Sequence, residues 1–207
     1  MSRFNDAHFL TSAAAPAQFP PDQGAEVAFV GRSNAGKSSA INAITQRHRL
    51  ARTSKTPGRT RLLNFFEVGP QQRIVDLPGY GYAAGPESER LSWQPLIDAL
   101  KTRESLRGLF VIVDSRRGLT ESDEVLLRWA AAPLLVHVLL SKADKLSRNE
   151  SLKTLQATKA ALVDRATVQL FSVPEKTGLD EAQRILGNWL VVSAHDSDSG
   201  PGAAAKS

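Results

Sequence analysis

The chain of 207 residues contains no cysteine, which excludes disulfides, a thiolate metal site and thiol redox chemistry. No apolar run approaches the roughly 18 residues that a membrane-spanning helix needs. The opening stretch Met1-Ser2-Arg3-Phe4-Asn5-Asp6 does not lead from a basic segment into an apolar one, so no secretory leader is expected. These absences predict a cytoplasmic protein without a membrane partner. Aromatic residues are sparse at 6%. Trp93, Trp129 and Trp189 all fall among apolar neighbours in helical patterns, which assigns them to packing before base stacking. Acidic residues are outnumbered, 21 against 26 basic, for a net charge of +5. The basic residues gather at Arg47, Arg49, Arg52, Lys55, Arg59 and Arg61 and again between Arg103 and Arg117. Charge alone leaves two readings open, a solvated surface or a polyanionic partner such as RNA.

The most specific feature present is Gly31-Arg32-Ser33-Asn34-Ala35-Gly36-Lys37-Ser38, followed by Ser39. It matches G-x-x-x-x-G-K-[ST] directly after the apolar run Glu26 to Val30. A loop between a strand and a helix can turn backbone N–H groups inward around a polyphosphate. Lys37 supplies a cation to the outer phosphates, and Ser38 a hydroxyl for Mg²⁺. The pattern predicts a nucleoside triphosphate site.

Two shorter motifs follow in order. Asp76-Leu77-Pro78-Gly79 ends the strand-like segment Arg73 to Asp76. In that slot an Asp reaches the Mg²⁺ shell and a Gly N–H meets the γ-phosphate, although the same four residues also read as an ordinary turn. Ser141-Lys142-Ala143-Asp144 ends the apolar run from Leu134. A carboxylate there accepts from the ring N–H and exocyclic amine of guanine, a donor pair that adenine lacks; a solvated Lys/Asp turn is the plainer alternative. The order of the three motifs favours GTP. An ATPase or small-molecule kinase is disfavoured by Asp144.

Periodicity predicts about six strands, at 26–30, 61–68, 72–76, 109–114, 134–141 and 168–173. Helices are predicted over 37–45, 87–103, 121–131, 148–163 and 179–190. The alternation implies an α/β fold, a doubly wound and mostly parallel sheet flanked by helices. Only Gly69-Pro70-Gln71-Gln72 joins the second and third strands, too few residues for a crossover, so one edge is an antiparallel hairpin. One domain is expected over 24–192, with an irregular lead-in at 1–23 and a disordered tail at 193–207. No internal repeat is visible.

On these residues the chain resembles the bacterial EngB (YihA or YsxC) family of ribosome-assembly GTPases, within the Era-like group. The likeness runs from about Phe4 to Leu190 and rests on residues 31–39, on SKTPGRTRLLNFF at 54–66, on DLPGYGYA at 76–83, on SKADKL at 141–146 and on the segment from Phe171 to Gly178. The resemblance implies a P-loop NTPase (Ras-like) three-layer fold. It further implies a Mg²⁺-dependent GTPase that binds GTP and GDP and serves as a molecular switch in assembly of the large ribosomal subunit, with rRNA and ribosomal proteins as partners. Normal cell division and septation would depend on it. A regulatory septation GTPase acting through a protein partner is the alternative. A monomer is expected.

The resemblance also places Gly58, Arg59 and Thr60 in the first switch, with Thr60, ahead of its rivals Thr53 and Thr56, joining Ser38 on the metal and Asp76 reaching it through water. Lys37, Thr60 and Gly79 would support the transition state, with no catalytic base assigned. Phe171, Ser172 and Val173 complete the guanine pocket, and Ser172 is expected to buttress Asp144. Two departures stand out: Tyr80 occupies the slot of the water-orienting glutamine of Ras-like enzymes, implying slow intrinsic hydrolysis, and Ser141 replaces an asparagine. Asn34 sits where several Era-like GTPases hold K⁺, a second candidate cation.

Overall fold

The computed structural model describes residues 4, 6–51, 62–80, 95–130 and 134–192. Strand β1 (His8–Ala13) precedes β2 (Ala25–Gly31), helix α1 (Lys37–Thr45), β3 (Leu63–Gly69) and β4 (Gln72–Asp76). Helix α2 covers 95–101, and then come β5 (Leu106–Asp114), α3 (Glu121–Trp129), β6 (Leu135–Ser141), α4 (Arg148–Ala161), β7 (Thr167–Leu170) and α5 (Leu179–Trp189). The seven strands form one sheet in the order β1-β3-β4-β2-β5-β6-β7. Strand β3 runs antiparallel to both β1 and β4, and every other pairing is parallel.

Strand β2 is buried at all seven positions, as a near-continuous apolar run in a covered parallel sheet must be. Its side chains divide between two cores. Ala28 and Val30 pack with Leu96, Leu100, Leu126 and Leu162, from the α2, α3 and α4 side; Val27 and Phe29 pack with Ile41, Ile44 and Leu186, from α1 and α5. The result is the expected three-layer sandwich. Phe29 stacks on Phe110 at 4.8 Å, and Gly108 lets Trp189 close over β5, since a Cβ there would lie 2.4 Å from the indole ring. Trp189 is therefore a packing residue. Trp129 donates to Asp98 at its edge, and Trp93 lies outside the described residues.

The sheet has one strand more than the six expected, because His8–Ala13 of the lead-in pairs with β3. Its sequence shows no alternation, its register slips between Phe9 and Thr11, and Phe9 and Leu10 remain exposed on an edge strand. Partial burial of this kind leaves little pattern to read. Strand β7 stops at Leu170, so Ser172 and Val173 lie in the turn beyond it.

Below the opposite end of the sheet, Glu26 is fully buried and accepts from two guanidinium groups, Arg73 Nε at 2.8 Å and Arg103 Nε at 2.7 Å. The same arginines donate to the carbonyls of Pro20, Pro21 and Gln23, and Asp22 accepts from Ser105. Residues 20–23 are thereby fastened across the starts of β2, β4 and β5.

His137 in β6 is also buried, between Thr167 Oγ1 (2.6 Å) and Gln169 Oε1 (2.9 Å), and burial lowers its pKa below the ordinary imidazole value. Above about pH 6.5 both folded and unfolded chains keep this ring neutral. As pH falls through that value toward the lowered folded pKa, only the unfolded chain takes up the proton, and stability is lost at up to about 1.4 kcal/mol per pH unit. Urea unfolding at pH 7.5 and 5.5 should show this loss in the wild type and a shallower one in His137→Gln. Equal slopes would refute a neutral buried ring.

Candidate nucleotide-binding site

The carboxyl ends of β2, β4, β5, β6 and β7 lie along one edge of the sheet, where open α/β sheets bind ligands. At its centre, residues 31–36 turn from β2 into α1. Gly31 is required here because a Cβ would meet the Ile112 carbonyl oxygen at 2.6 Å, and Gly36 has φ +102°, a left-handed conformation that disfavours side chains. Within the loop Ala35 N–H donates to Arg32 O (3.0 Å), and Ser33 N–H donates to Tyr80 O (3.0 Å). Ser38 and Ser39 lie in the first turn of α1.

Lys37, near the start of α1, forms an ion pair with Asp76 at the end of β4, and both side chains are largely buried. Burial raises the Asp76 pKa, while the Lys37 ammonium and a hydrogen bond from Asn64 act in the opposite sense. Asn64 stands directly across from Asp76 in the β3–β4 register and accepts from Ser12 of β1 at 2.7 Å. Leu77 is buried, its N–H donating to Phe29 O at 3.0 Å, and Pro78 and Gly79 carry the chain to Tyr80 beside the phosphate loop.

The end of β6 grips the same loop from the other side. Ser141 Oγ donates to Ala35 O at 2.5 Å and to Val113 O at 3.1 Å. Lys142, in a left-handed conformation (φ 58°), reaches back to donate to Asn34 O at 2.6 Å and to Asp114 Oδ2 at 2.9 Å. Ala143 N–H donates to Phe171 O (3.2 Å), which ties this turn to the chain leaving β7. There Ser172 Oγ donates to Asp144 Oδ1 at 2.8 Å, the expected buttress, and this bond together with Lys145 holds the Asp144 carboxyl below its usual pKa. Ser172 N–H is taken by Thr177 O, and Val173 is exposed.

At the third side, the Tyr80 hydroxyl donates to the buried Asp123, whose other oxygen accepts from Thr120 N–H (2.7 Å) and Oγ1 (2.6 Å) at the start of α3. Burial first, and the adjacent carboxylate second, push the phenol pKa far up.

A family profile described as a 50S ribosome-binding GTPase matches residues 26–142. The probable GTP-binding protein EngB of Coxiella burnetii (strain RSA 331 / Henzerling II) is 51% identical over 192 residues, covering 90% of this chain and 94% of that one. The chain belongs to the EngB family of GTP-binding proteins. The EngB relative of Azoarcus sp. (strain BH72) is 49% identical over 209 residues, 98% of this chain and 100% of its own. Among solved structures, a probable EngB shares the fold with TM-score 0.60 at 21% identity, over 80% of this chain and 98% of its own. Era in complex with MgGDPNP and 16S ribosomal RNA nucleotides does so with TM-score 0.62 at 21% identity, over 83% of this chain and 58% of its own. The fold is that of the P-loop GTPases.

Of the motif residues expected from the sequence, the structure gathers the phosphate loop, Asp76 to Gly79, Ser141 to Asp144 and Phe171 to Ser172 along that edge. Gly58, Arg59 and Thr60 of the expected first switch lie outside the described residues. Reading an EngB-family sequence for motifs missed Asp114, Asp123, Asn64 and Ser12. Asp114 alone carried a signal, a carboxylate ending a predicted strand. The Tyr80 hydroxyl is committed to Asp123, so Tyr80→Phe removes one donor from a buried carboxylate and should cost about 1–3 kcal/mol of folding stability. Urea denaturation tests this; a loss under about 0.5 kcal/mol would show the bond to be dispensable.

Proposed function

We propose that this EngB-family GTPase is a Mg²⁺-dependent molecular switch, with GTP and GDP seated along the phosphate loop, that acts in the cytoplasm on assembly of the large ribosomal subunit. The observation that carries the nucleotide reading is the joining of motifs far apart in sequence. Ser141 and Lys142 hold successive carbonyls of the phosphate loop, while Ser172 holds the carboxylate of Asp144. In a trans peptide the carbonyl and the next N–H point opposite ways, so fixing the Ala35 carbonyl from behind turns the Gly36 N–H forward. Phosphate oxygens would then draw Lys37 from Asp76, and Asp144 would read guanine.

The donor set suits Mg²⁺. Among the described residues no three His, Cys, Asp or Glu side chains converge into a metal cage. A site offering one hydroxyl and one carboxylate matches an ion that keeps its waters and takes the remaining ligands from substrate phosphates. Ser38 and Thr60 would hold it, with Asp76 acting through water; when bound it would neutralise charge on the outer phosphates. Lys37 and the Gly79 N–H would steady the γ-phosphate. Tyr80 stands in the slot of the water-orienting glutamine with its hydroxyl bonded to Asp123, which supports slow intrinsic hydrolysis. K⁺ held by Asn34 is a candidate for the missing charge.

The ribosomal reading is supported by family membership and by exposed basic residues, Arg47 and Arg49, beside the phosphate-loop helix. Sucrose-gradient sedimentation tests it: the protein should migrate with large-subunit particles in the presence of one of GDP or a GTP analogue and not the other. No comigration in either state would favour a septation regulator working through a protein partner.

A further inference from the structure

Lys142 presents a mobile four-carbon side chain, and fixing it over the phosphate loop costs rotamer freedom. The neutral Asn34 carbonyl alone offsets little of that. The remaining hold comes from Asp114, which ends β5 directly opposite Ser141 in the β5–β6 register and so lies beside the start of the Lys142 side chain's path. Its carboxylate is buried and doubly anchored: Arg116 donates from Nε to Oδ1 (2.9 Å) and from Nη2 to Oδ2 (2.6 Å), and the Arg116 backbone N–H adds a third bond (3.1 Å). Oδ2 is then aimed at Lys142 Nζ at 2.9 Å. Burial opposes the charge, but these donors prevail and keep Asp114 ionised well below the usual carboxylate range.

We propose that Asp114 is a positioning residue for guanine-nucleotide binding, acting through Lys142 to hold the Asn34 carbonyl and with it the shape of the phosphate loop. The inference rests on the nucleotide site proposed above. Without the counter-charge the Lys142 head gains more by returning to water than by bonding one neutral oxygen. The Asn34 peptide is then released, and nucleotide leaves faster. The loop contacts the phosphates shared by GDP and GTP, so both should be affected by the same factor. Arg116 orients the carboxylate but does not touch Lys142, so its loss should matter much less.

The test is the dissociation rate of fluorescent GDP and of a fluorescent GTP analogue, chased with unlabelled nucleotide. It uses wild type, Asp114→Asn, Asp114→Ser, Lys142→Ala, the Asp114→Asn/Lys142→Ala double variant and Arg116→Gln. Two Asp114 substitutions are included so that a folding failure in one leaves the other. Asp114→Asn should speed release of both nucleotides about tenfold or more in the wild-type background, and less than about twofold once Lys142 is alanine, the non-additivity of residues acting as one unit. Arg116→Gln should stay within about threefold of wild type. Unchanged rates in both Asp114 variants, an undiminished effect in the Lys142→Ala background, or an equal effect of Arg116→Gln would each overturn the proposal. A wild type that retains no guanine nucleotide would overturn the nucleotide site and this inference with it.

Discussion

Asp144→Asn should weaken GTP binding by about 2–4 kcal/mol, because the two charge-assisted hydrogen bonds that we propose it makes to guanine would be lost or inverted. The carboxylate has the charge that the proposed role needs: Ser172 and Lys145 stabilise its ionised form, which is fully populated at neutral pH. An asparagine can still accept from Ser172 through its own oxygen, so the fold should be little disturbed. Its amide nitrogen, however, presents a donor to guanine donors and suits the additional carbonyl of xanthine. Titration of fluorescent GTP and xanthosine triphosphate would show the preference reversed. Unchanged GTP affinity would remove Asp144 from the guanine pocket.

The largest expected effect on stability lies at the other end of the sheet. Glu26→Ala removes the one carboxylate among the described residues that touches both Arg73 and Arg103, whose side chains are 10% and 8% exposed. Leaving buried charge uncompensated typically costs about 3–5 kcal/mol. For a domain of this size that corresponds to a fall in melting temperature of roughly 6–20 °C. The site edge lies across the sheet, so the protein that remains folded should bind GDP with wild-type affinity. Calorimetric melting checks the first statement and nucleotide titration the second; a loss under about 1 kcal/mol would mean that the arginines find other partners.

What was legible in the sequence follows from how its information is distributed. The phosphate loop, Asp76 to Gly79 and Ser141 to Asp144 each carry their chemistry in contiguous residues on strand ends, so pattern and order pointed to the candidate site and to the parallel sheet together. Ser172 could be assigned to Asp144 only because the family resemblance placed the two motifs in one pocket. Asp114 and Asp123 act on partners 28 and 43 residues away, Lys142 and Tyr80. Nothing local distinguishes such carboxylates from a solvated turn or a helix cap; Thr120 and Asp123 do form a cap as well. Strand β1 escaped notice because an edge strand with a register slip buries too little to impose alternation. Its Ser12 nevertheless reaches the site through Asn64.

The grip of Ser141 on Ala35 also bears on the birth of the protein. These residues are 106 positions apart, and β2 has no neighbour in the sheet until β4 and β5 have been made. Long-range pairings of this kind close late and slow the folding of the chain. During vectorial synthesis the phosphate loop emerges early but lacks its posterior anchors, Ser141 and Lys142, until β6 has left the exit tunnel. The anchored form of the phosphate loop therefore arrives only after residues 141 and 142 have been made, and a nascent chain stalled before them would carry the complete phosphate-loop sequence without the contacts that hold the Ala35 and Asn34 carbonyls.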